Sequence, residues 1–455
     1  MESNIVKARG PIVWMLAIAC AFAGVWWIER ETGKELVEKT QGPGAQSAPA
    51  RAPIASSTDL PPEPAPRPLS EEEKQWARTA WAYFEKNFDN NTGLVRSVET
   101  FAGATMWDTA SYLLALIAAH DLGLIEKRTF DIRTSKALVS LERLPLYDGK
   151  LPNKSYDVTN LAMTDYEGKP SPGGIGWSAI DIGRLLVPLN VLAWRHPTHT
   201  PAARAVIARW DTAQLARQGQ MFGMQVGGPG GPQAVQEGRV GYEQYAARGF
   251  TLMGLDVSAA ADWRPHLQEV PVQGVNVCAD ARDPQRFGAQ NFVVSEPYVL
   301  EGLEFGWTGT SRECAWRAYK AQEARSRATG VPTAVTEDHV DRPPYFVYNS
   351  VWSAGRPWAT VTEKGQDVAA LRTLSVKAAF AWHALLRTPY TESLVRKVAP
   401  LHDPARGWYA GLYEEGGQPN RALTANTNAV VLESLAYTAR GRLLRWREPS
   451  TPKKP

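Results

Sequence analysis

One stretch of this chain places an acidic residue between two tyrosines at the start of a predicted helix. In GYEQYAARGF, residues 241–250, Glu243 lies between Tyr242 and Tyr245. Aromatic neighbours disfavour a charged carboxylate and raise its pKa, which suits a general acid. The structural alternative is that Glu243 interacts favourably with the dipole of its helix from the first turn.

Two further acids near predicted helix starts are candidates for a second catalytic carboxyl group. Asp108 follows Trp107 and could act as a base or bind a sugar hydroxyl, or simply cap the helix that follows. Asp181 lies three residues before Arg184, so an ion pair between them is the alternative to catalysis. For both acids the sequence leaves the catalytic and the structural role open.

A third source of carboxyl groups is the loop TAVTEDHVDRPPYFVYN, residues 333–349, which contains Glu337 and Asp338. A loop that closes over a substrate can deliver a carboxylate and exclude water. The alternative is a solvated acidic loop without a catalytic role.

Acids of this kind predict glycoside hydrolysis, in which a protonated carboxyl group acts as acid and an ionised one as base or nucleophile. We expect Glu243 to be the acid, with Asp108 or the loop of Glu337 and Asp338 supplying the second carboxylate. Asp181 is a further catalytic candidate.

The aromatic residues support the same prediction. The chain has 17 Trp, many of them beside Gly, Asp, Asn or Pro, as in clefts where flat rings stack on sugars. A large helical core that uses Trp for packing is the alternative. The predicted substrate contacts are Trp107, Trp177, Tyr242, Tyr245, Tyr345, Trp408, Tyr409, Asn426 and Asn428.

Helical segments of two kinds alternate along residues 68–445. Six of them, such as WDTASYLLALIAAH and TANTNAVVLESLAYTA, are apolar nearly all round, as buried helices are, and recur every 50 to 75 residues or so. Amphipathic segments precede most of them. The first helix has a predicted capping box of Ser70 and Glu73. The fourth outer helix is poorly marked.

This alternation predicts an all-α fold, an (α/α)6 toroid with a ring of inner helices inside a ring of outer ones. Gly-, Pro- and Asp-rich loops precede the inner helices, so we expect them on one face, around a funnel. The mouth of that funnel would be lined by Trp107, Asp108, Trp177, Asp181, Tyr242, Glu243, Glu296, Asn426 and Asn428.

The amino terminus predicts a membrane anchor. After a cytoplasmic segment, residues 1–10, residues 11–28 are apolar and uncharged, long enough for one transmembrane helix. Basic residues before this run place the following domain in the periplasm, with the anchor in the inner membrane. A cleaved signal peptide is the alternative. A Pro- and Ala-rich linker, residues 29–67, and a basic tail, residues 446–455, flank the toroid.

Composition and motifs argue against other classes. The net charge is +3 and the basic residues are scattered, so no nucleic-acid partner is expected. The seven His form no metal-binding motif, and no nucleotide-binding loop is present, so we expect neither metal nor cofactor. Cys278 and Cys314 could pair in an oxidising compartment.

Several long motifs, taken in order, resemble a known bacterial family. They include WDTASYLLALIAAHDLGLI, GWSAIDIGRLL, GYEQYAARGF and ARGWYAGLYEEGGQPNRALTANTNAVVLESLAY. The chain resembles the family catalogued as domain of unknown function 3131 over nearly all of residues 70–440. That family is similar to glucoamylase-like (α/α)6 toroids, which implies a polysaccharide of the cell envelope as substrate. The resemblance implies no particular catalytic residues.

The sequence thus predicts a membrane-anchored periplasmic glycoside hydrolase or transglycosylase-like protein acting on an envelope glucan or exopolysaccharide. Proteins of polysaccharide synthesis or export are its expected partners. The alternative is a non-catalytic glycan-binding or assembly subunit, which would keep the aromatic residues without needing opposed acids. A polysaccharide lyase, in which Tyr with Arg or His replaces the carboxyl pair, is a third interpretation.

Overall fold

The computed structural model describes residues 54–227, 230–284, 290–353 and 355–444. The predicted anchor at residues 11–28 and the predicted tail at 446–455 lie outside these ranges. No helix within the ranges is long and apolar enough to cross a membrane.

The helices alternate along the chain as the sequence predicts. In chain order they are α1 (Glu71–Lys86), α2 (Met106–Asp121), α3 (Lys127–Arg143), α4 (Ala179–Arg195), α5 (Thr200–Ala208), α6 (Tyr242–Thr251), α7 (Ser258–Ala261), α8 (Glu296–Glu304), α9 (Gly309–Thr329), α10 (Val376–Leu386), α11 (Pro389–Val398) and α12 (Ala425–Arg440).

The even-numbered helices form a closed inner ring. Each packs against the next, from α2 through α4, α6, α8 and α10 to α12, and α12 packs back against α2. The odd-numbered helices lie outside, α1 against α12 and α2, and each of the others against the inner helix that precedes it. The predicted toroid is confirmed. The fourth outer helix, α7, has only four residues, which explains its weak sequence signal.

Local sequence features account for several helix starts and contacts. Ser70 and Glu73 form both hydrogen bonds of the predicted capping box at the start of α1. Where α4 meets α6, a Cβ on Gly249 would lie 1.9 Å from the carbonyl oxygen of Gly183. Only glycine permits this approach, so the pair sets how closely these two inner helices pack.

The loops contain strands, so the all-α prediction is incomplete. The strands are β1 (Gly103–Thr105), β2 (Leu146–Tyr147), β3 (Leu151–Pro152), β4 (Ser155–Asp157), β5 (Met163–Thr164), β6 (Ala216–Arg217), β7 (Gln220–Gln225), β8 (Gln233–Gln236), β9 (Leu267–Val272), β10 (Val275–Asp280), β11 (Phe292–Val293), β12 (Glu337–His339), β13 (Phe346–Asn349), β14 (Trp352–Ser353), β15 (Arg356–Pro357), β16 (Thr360–Val361), β17 (Thr373–Ser375), β18 (His402–Asp403), β19 (Gly407–Tyr413) and β20 (Pro419–Leu423).

These strands pair antiparallel in small sheets of two to four. A long loop over a helical ring buries backbone amides and carbonyls, and short ladders satisfy them. Many of the strands have only two or three residues, too few for an alternating pattern to stand out in the sequence.

Within the described part of the predicted linker, residues 54–67, the stretch 55–61 is hydrogen-bonded to side chains of α9. Both the amide and the hydroxyl of Ser57 donate to Glu313, at 2.9 and 2.7 Å, and Trp316 Nε1 donates to Asp59 at 2.9 Å. This Pro- and Ala-rich segment is therefore held by hydrogen bonds to side chains of the body, which its own composition does not reveal.

A disulfide joins Cys278 on β10 to Cys314 on α9, with a Cα–Cα distance of 5.4 Å. The pairing that the sequence left open is therefore present. It fixes the β9–β10 hairpin to the outer ring.

Candidate active site

Each inner helix contributes a polar or aromatic side chain from its first turn to one end of the ring. We call this end, where the long loops also gather, the mouth. The contributing residues are Trp107 (α2), Asp181 (α4), Tyr242 (α6), Glu296 (α8), Lys377 (α10) and Asn426 (α12).

Glu296 is the residue on which three other inner helices converge. Trp107 Nε1 donates to Glu296 Oε1 at 3.2 Å, and Asn426 Nδ2 donates to the same oxygen at 2.7 Å. Lys377 Nζ contacts the other oxygen, Oε2. Three donors from three different helices therefore hold this carboxylate in place at the mouth.

Lys377 is surrounded by carboxyl groups. Its Nζ lies 3.8 Å from Asp338 Oδ1 as well as against Glu296, and Glu337 lies within electrostatic range. Burial opposes the charge of Lys377, but the three acids raise its pKa. One cation thus faces three acids, so the cluster retains a proton on at least one carboxyl group.

Asp338 is the acid that retains a proton most readily. Its side chain is 1% exposed, and apart from a weak interaction with Ser375 its two oxygens accept no hydrogen bond from the described residues. Burial, together with Glu296 and Glu337, raises the pKa of Asp338 well above its ordinary value.

Glu337 and Asp181 are less enclosed and have similar acidity. Burial raises the pKa of Glu337, on β12, to about 7. Burial, with the nearby carboxylates Glu237 and Asp108, also raises the pKa of half-buried Asp181 to about 7. Both groups therefore change protonation state near neutral pH.

The ring order places these two acids on different sides of the mouth. Backbone hydrogen bonds fix the segment before Glu337 to the starts of α8 and α10, from Ser295 N to Val335 O at 3.1 Å and from Ser375 N to Ala334 O at 2.8 Å. Asp181 lies in the first turn of α4, which is across the ring from α10.

Asp108 is the third residue of α2 and completes a capping box whose N-cap is Thr105, rather than being the N-cap itself. Its carboxylate accepts from Thr105 Oγ1 at 2.8 Å, and its amide donates to the same hydroxyl at 3.1 Å. Burial raises the pKa of Asp108, and Glu296 lies close enough to add to this effect. Asp108 is thus beside the mouth, with its carboxylate engaged by its own helix.

Glu243 lies outside the mouth cluster. It is 1% exposed, accepts from Arg282 at 2.6 Å and from Gln236 at 3.0 Å, and shares Arg282 with Asp280. Burial raises the pKa of Glu243 to about 7, while Arg282 acts in the opposite direction. The geometry favours a structural role, and the predicted role of Glu243 as general acid stays a prediction.

The predicted substrate contacts divide by exposure. Trp107, Tyr242, Tyr345, Tyr409 and Asn426 are partly exposed. Trp177, Tyr245, Trp408 and Asn428 are buried, and their hydrogen bonds are internal: Trp177 donates to Phe222 O, Trp408 to Trp76 O, Tyr245 to Glu304, and Asn428 accepts from Trp408 N. Packing and hydrogen bonding within the core therefore account for the positions of these four side chains.

A buried ion network lies beneath the mouth. Arg184 is fully buried and pairs with Glu304 at 3.0 Å and Glu433 at 3.4 Å, rather than with Asp181. Its guanidinium lies 4.7 Å from the centre of the Trp107 ring. The network thus supports the indole that donates to Glu296.

Sequence reasoning gave no role to Lys377 and none to Glu296 beyond lining the mouth. One signal for Lys377 was available: it is the one Lys or Arg in VKAAFAWHALL, the otherwise apolar α10. In the described ranges, no group of three or more His, Cys, Asp or Glu could hold a metal ion.

Solved structures share this fold. A putative glucoamylase from Bacteroides caccae is 11% identical, with a TM-score of 0.61, over 81% of this chain and 93% of that one. An endo-β-1,2-glucanase from Chitinophaga pinensis is 9% identical, with a TM-score of 0.58, over 82% and 94%. An endo-β-1,2-glucanase from Talaromyces funiculosus, in complex with sophorose, is 12% identical, with a TM-score of 0.57, over 82% and 84%.

These likenesses show a common glucoamylase-like toroid. No curated protein sequence matches this chain at a significant level. The sequence model of the family described as "Protein of unknown function (DUF3131)" matches residues 75–441. The chain belongs to this family, as its motifs predict.

Proposed function

We propose that this protein is a glycan-cleaving enzyme, a hydrolase or transglycosylase, with Glu337 and Asp181 as its carboxyl pair. The observation that carries the proposal is the placement of these two acids on different sides of one mouth, each with a pKa raised to about 7. Paired carboxyl groups flanking a bond are what glycoside cleavage requires.

We assign the acid to Glu337, which is the more buried of the two. Its proton passes to the glycosidic oxygen as the bond from that oxygen to the sugar carbon breaks. Asp181 either removes a proton from the attacking water or attacks the sugar carbon itself. Glu296, nearby and held by Trp107, Asn426 and Lys377, orients these groups around the reacting sugar.

The two glucanases among the structural relatives support a glucan as substrate. Transfer differs from hydrolysis only in the acceptor, a sugar hydroxyl instead of water. The disulfide supports a location in an oxidising compartment, for which the periplasm is our proposal. The inner-membrane anchor at residues 11–28 and an association with polysaccharide synthesis or export proteins are further parts of this proposal.

One observation favours the alternative, a glycan-binding or assembly subunit without catalysis. Glu296 and Asp338 are each 1% exposed, so a sugar reaches them only if the loop carrying Asp338 moves. A binding protein would need no such motion.

One experiment distinguishes a glycan-cleaving enzyme from a glycan-binding subunit. The full chain is incubated with β-1,2-, β-1,3- and β-1,4-linked glucans and with bacterial exopolysaccharide, and the chain lengths of the products are resolved. A double variant, Asp181→Asn with Glu337→Gln, is run in parallel. Shorter or rearranged chains from the parent alone support the enzyme, whereas tight binding by both proteins without products supports the subunit.

A further inference from the structure

The end of the ring opposite the mouth contains a cavity without an assigned role. It has a volume of about 470 Å³ and is lined by residues of α2, α4, α8 and α12 and by the segment 441–443 that follows α12. Asp121, Arg195 and Arg440 line it and are the last residues of their helices, whereas the mouth is formed by first turns. This cavity, which we call the rear cavity, is therefore separate from the candidate active site.

The rear cavity has the size and lining of a site for a small molecule. Such sites usually enclose about 300–1,000 Å³, with mostly apolar walls and a few polar groups. Leu114 and Ala118 of α2, Leu303 of α8 and Ala436 of α12 form apolar walls. Exposed arginines lie at the opening, and buried Glu433 lies within the ring. A ligand that combines an apolar body with a charged group fits this arrangement.

Three exposed arginines surround the opening, and one of them is paired with a carboxylate. Arg195 Nη2 contacts both carboxylate oxygens of Asp121 at 2.7 Å. Arg440 donates through Nε and Nη2 to the backbone oxygen of Asp121, at 3.3 and 3.1 Å, which orients its guanidinium without neutralising it. Arg442 lies against Gly306, where a Cβ would come within 2.8 Å of Nη1. Among the described residues, no carboxylate forms an ion pair with Arg440 or Arg442, so two guanidinium charges are available to a ligand.

The two acids that line the rear cavity are already engaged. Asp121 forms the ion pair just described, and Glu433 pairs with Arg184 at 3.4 Å. Burial and the neighbouring Glu304 raise the pKa of Glu433 well above its ordinary value, which favours its neutral form. Burial lowers the pKa of His120, which favours the neutral imidazole at pH 7. The net charge around the cavity is therefore positive.

The charge and the walls together indicate the class of ligand. Guanidinium groups pair with phosphate and carboxylate through two parallel hydrogen bonds. A phosphate monoester carries a charge of about −1.5 to −2 at pH 7, which matches two unpaired arginines better than the single charge of a carboxylate does. Apolar walls favour a phosphate with an apolar substituent over inorganic phosphate.

We propose that the rear cavity is a second ligand site that binds a small organic phosphate. The phosphate pairs with Arg440 and Arg442 at the opening, and the apolar part lies between α2, α8 and α12. This site is additional to the proposed glycan-cleaving function and does not rest on it. The phosphate belongs to a soluble ester or to the headgroup of a lipid, and the test distinguishes these two sources.

Calorimetry on the full chain measures binding of phenyl phosphate, which joins a phosphate monoester to an apolar ring. Benzyl alcohol is the uncharged comparison, benzoate is the carboxylate, and inorganic phosphate lacks the apolar part. Arg440→Gln and Arg442→Gln are each compared with Arg204→Gln, because Arg204 is exposed on the outer helix α5 and does not line the rear cavity. Ala436→Phe fills the cavity without changing its charge.

We expect Arg440→Gln and Arg442→Gln each to weaken binding of phenyl phosphate about tenfold, and Arg204→Gln to leave it within about twofold. Ala436→Phe should also weaken it about tenfold, because the phenyl ring loses its place. Phenyl phosphate should bind at least about tenfold more tightly than the other three probes. Thermal melting identifies a variant that fails to fold, and if Ala436→Phe does so, the exposed arginines decide the outcome.

Vesicles distinguish the two sources of the phosphate. The full chain is sedimented with phosphatidylcholine vesicles that contain or lack phosphatidic acid. Sedimentation that requires phosphatidic acid and is lost in Arg440→Gln supports a lipid headgroup. Binding of phenyl phosphate without such a dependence supports a soluble ester.

The proposal is overturned if the parent shows no saturable binding of phenyl phosphate, or if Arg440→Gln and Arg442→Gln bind it as well as Arg204→Gln does. Benzyl alcohol that binds as tightly as phenyl phosphate refutes an anion site. Benzoate that binds as tightly refutes the preference for phosphate. These measurements use no glycan, so their failure leaves the glycan-cleaving function untouched.

Discussion

Glu243 and Glu337 are both buried glutamates with pKa values raised to about 7, yet their surroundings differ. Glu243 is hydrogen-bonded to Arg282 at 2.6 Å and shares that arginine with Asp280. Glu337 lies at the mouth, where one lysine is shared among three acids. A raised pKa alone does not distinguish a catalytic acid from a structural one. The difference lies in the facing charge, an arginine beside Glu243 and a lysine shared with two other acids beside Glu337.

The first prediction separates the two glutamates by activity. Glu337→Gln should lower kcat on the order of a hundredfold or more, because the variant has no proton to donate. Glu243→Gln, measured per folded molecule, should keep kcat within about threefold. Steady-state kinetics on the cleaved glucan check both, and the opposite pattern would return the role of general acid to Glu243.

The second prediction concerns the disulfide, which is joined to the surroundings of Glu243 through one strand. Asp280, which shares Arg282 with Glu243, ends the strand that carries Cys278. Replacing Cys278 and Cys314 by Ser should lower the free energy of unfolding by about 3–4 kcal/mol, because the disulfide closes a loop with a sequence separation of 36. Urea unfolding measures the loss. The mouth has no part in the disulfide, so a fall in kcat of the folded variant would contradict this separation.

Third, Glu243→Ala should lower the free energy of unfolding by about 3 kcal/mol, since it removes one partner of a buried ion pair. Asp280 still partners Arg282, which keeps the loss from being larger. Glu415→Ala, at an exposed acid, is the matched control and should change stability by less than about 0.5 kcal/mol. Equal unfolding midpoints for the two variants would show that the Arg282 pair contributes nothing.

The smallest expected effect is a pH dependence of stability at the mouth. The pKa of Glu337 is higher in the folded protein than in the unfolded chain. At a pH between these two pKa values, the folded protein binds the proton of Glu337 more tightly than the unfolded chain does. The stabilising contribution is complete below the unfolded pKa of about 4.3 and is lost as the pH rises through about 7.

Glu337→Gln cannot ionise and removes this contribution. Between pH 5 and pH 8 the parent should therefore lose about 2 kcal/mol more stability than the variant. Denaturant unfolding at both pH values gives the difference. If the parent and the variant lose the same free energy of unfolding between the two pH values, Glu337 has the same pKa in the folded and unfolded states.

The toroid could be predicted because its inner helices are apolar nearly all round and recur six times. The strands could not, since a segment such as Leu146–Tyr147 has too few residues for an alternating pattern. The resemblance to the family named the fold independently, and the match over residues 75–441 confirms it.

Some residues of the candidate site could be named from the sequence, and their catalytic roles stay predictions. The sequence named Asp181, Glu337 and Asp338, and the structure brings them to one mouth. It also named Glu243, whose neighbours Tyr242 and Tyr245 both contact Trp107 at the mouth. Successive residues of a helix are about 100° apart, so a helix that turns Tyr242 and Tyr245 to the axis directs Glu243 sideways.

By itself, the sequence determined the order of the helices, which side of each is apolar, and which loops gather at one end of the ring. Those properties follow from local periodicity and turn composition. The tertiary structure alone decided which polar groups meet, because Glu296, Lys377 and Asn426 come from helices far apart in the chain. Whether a carboxyl group faces an arginine, a lysine or the mouth depends on ring closure, which no short stretch of sequence encodes.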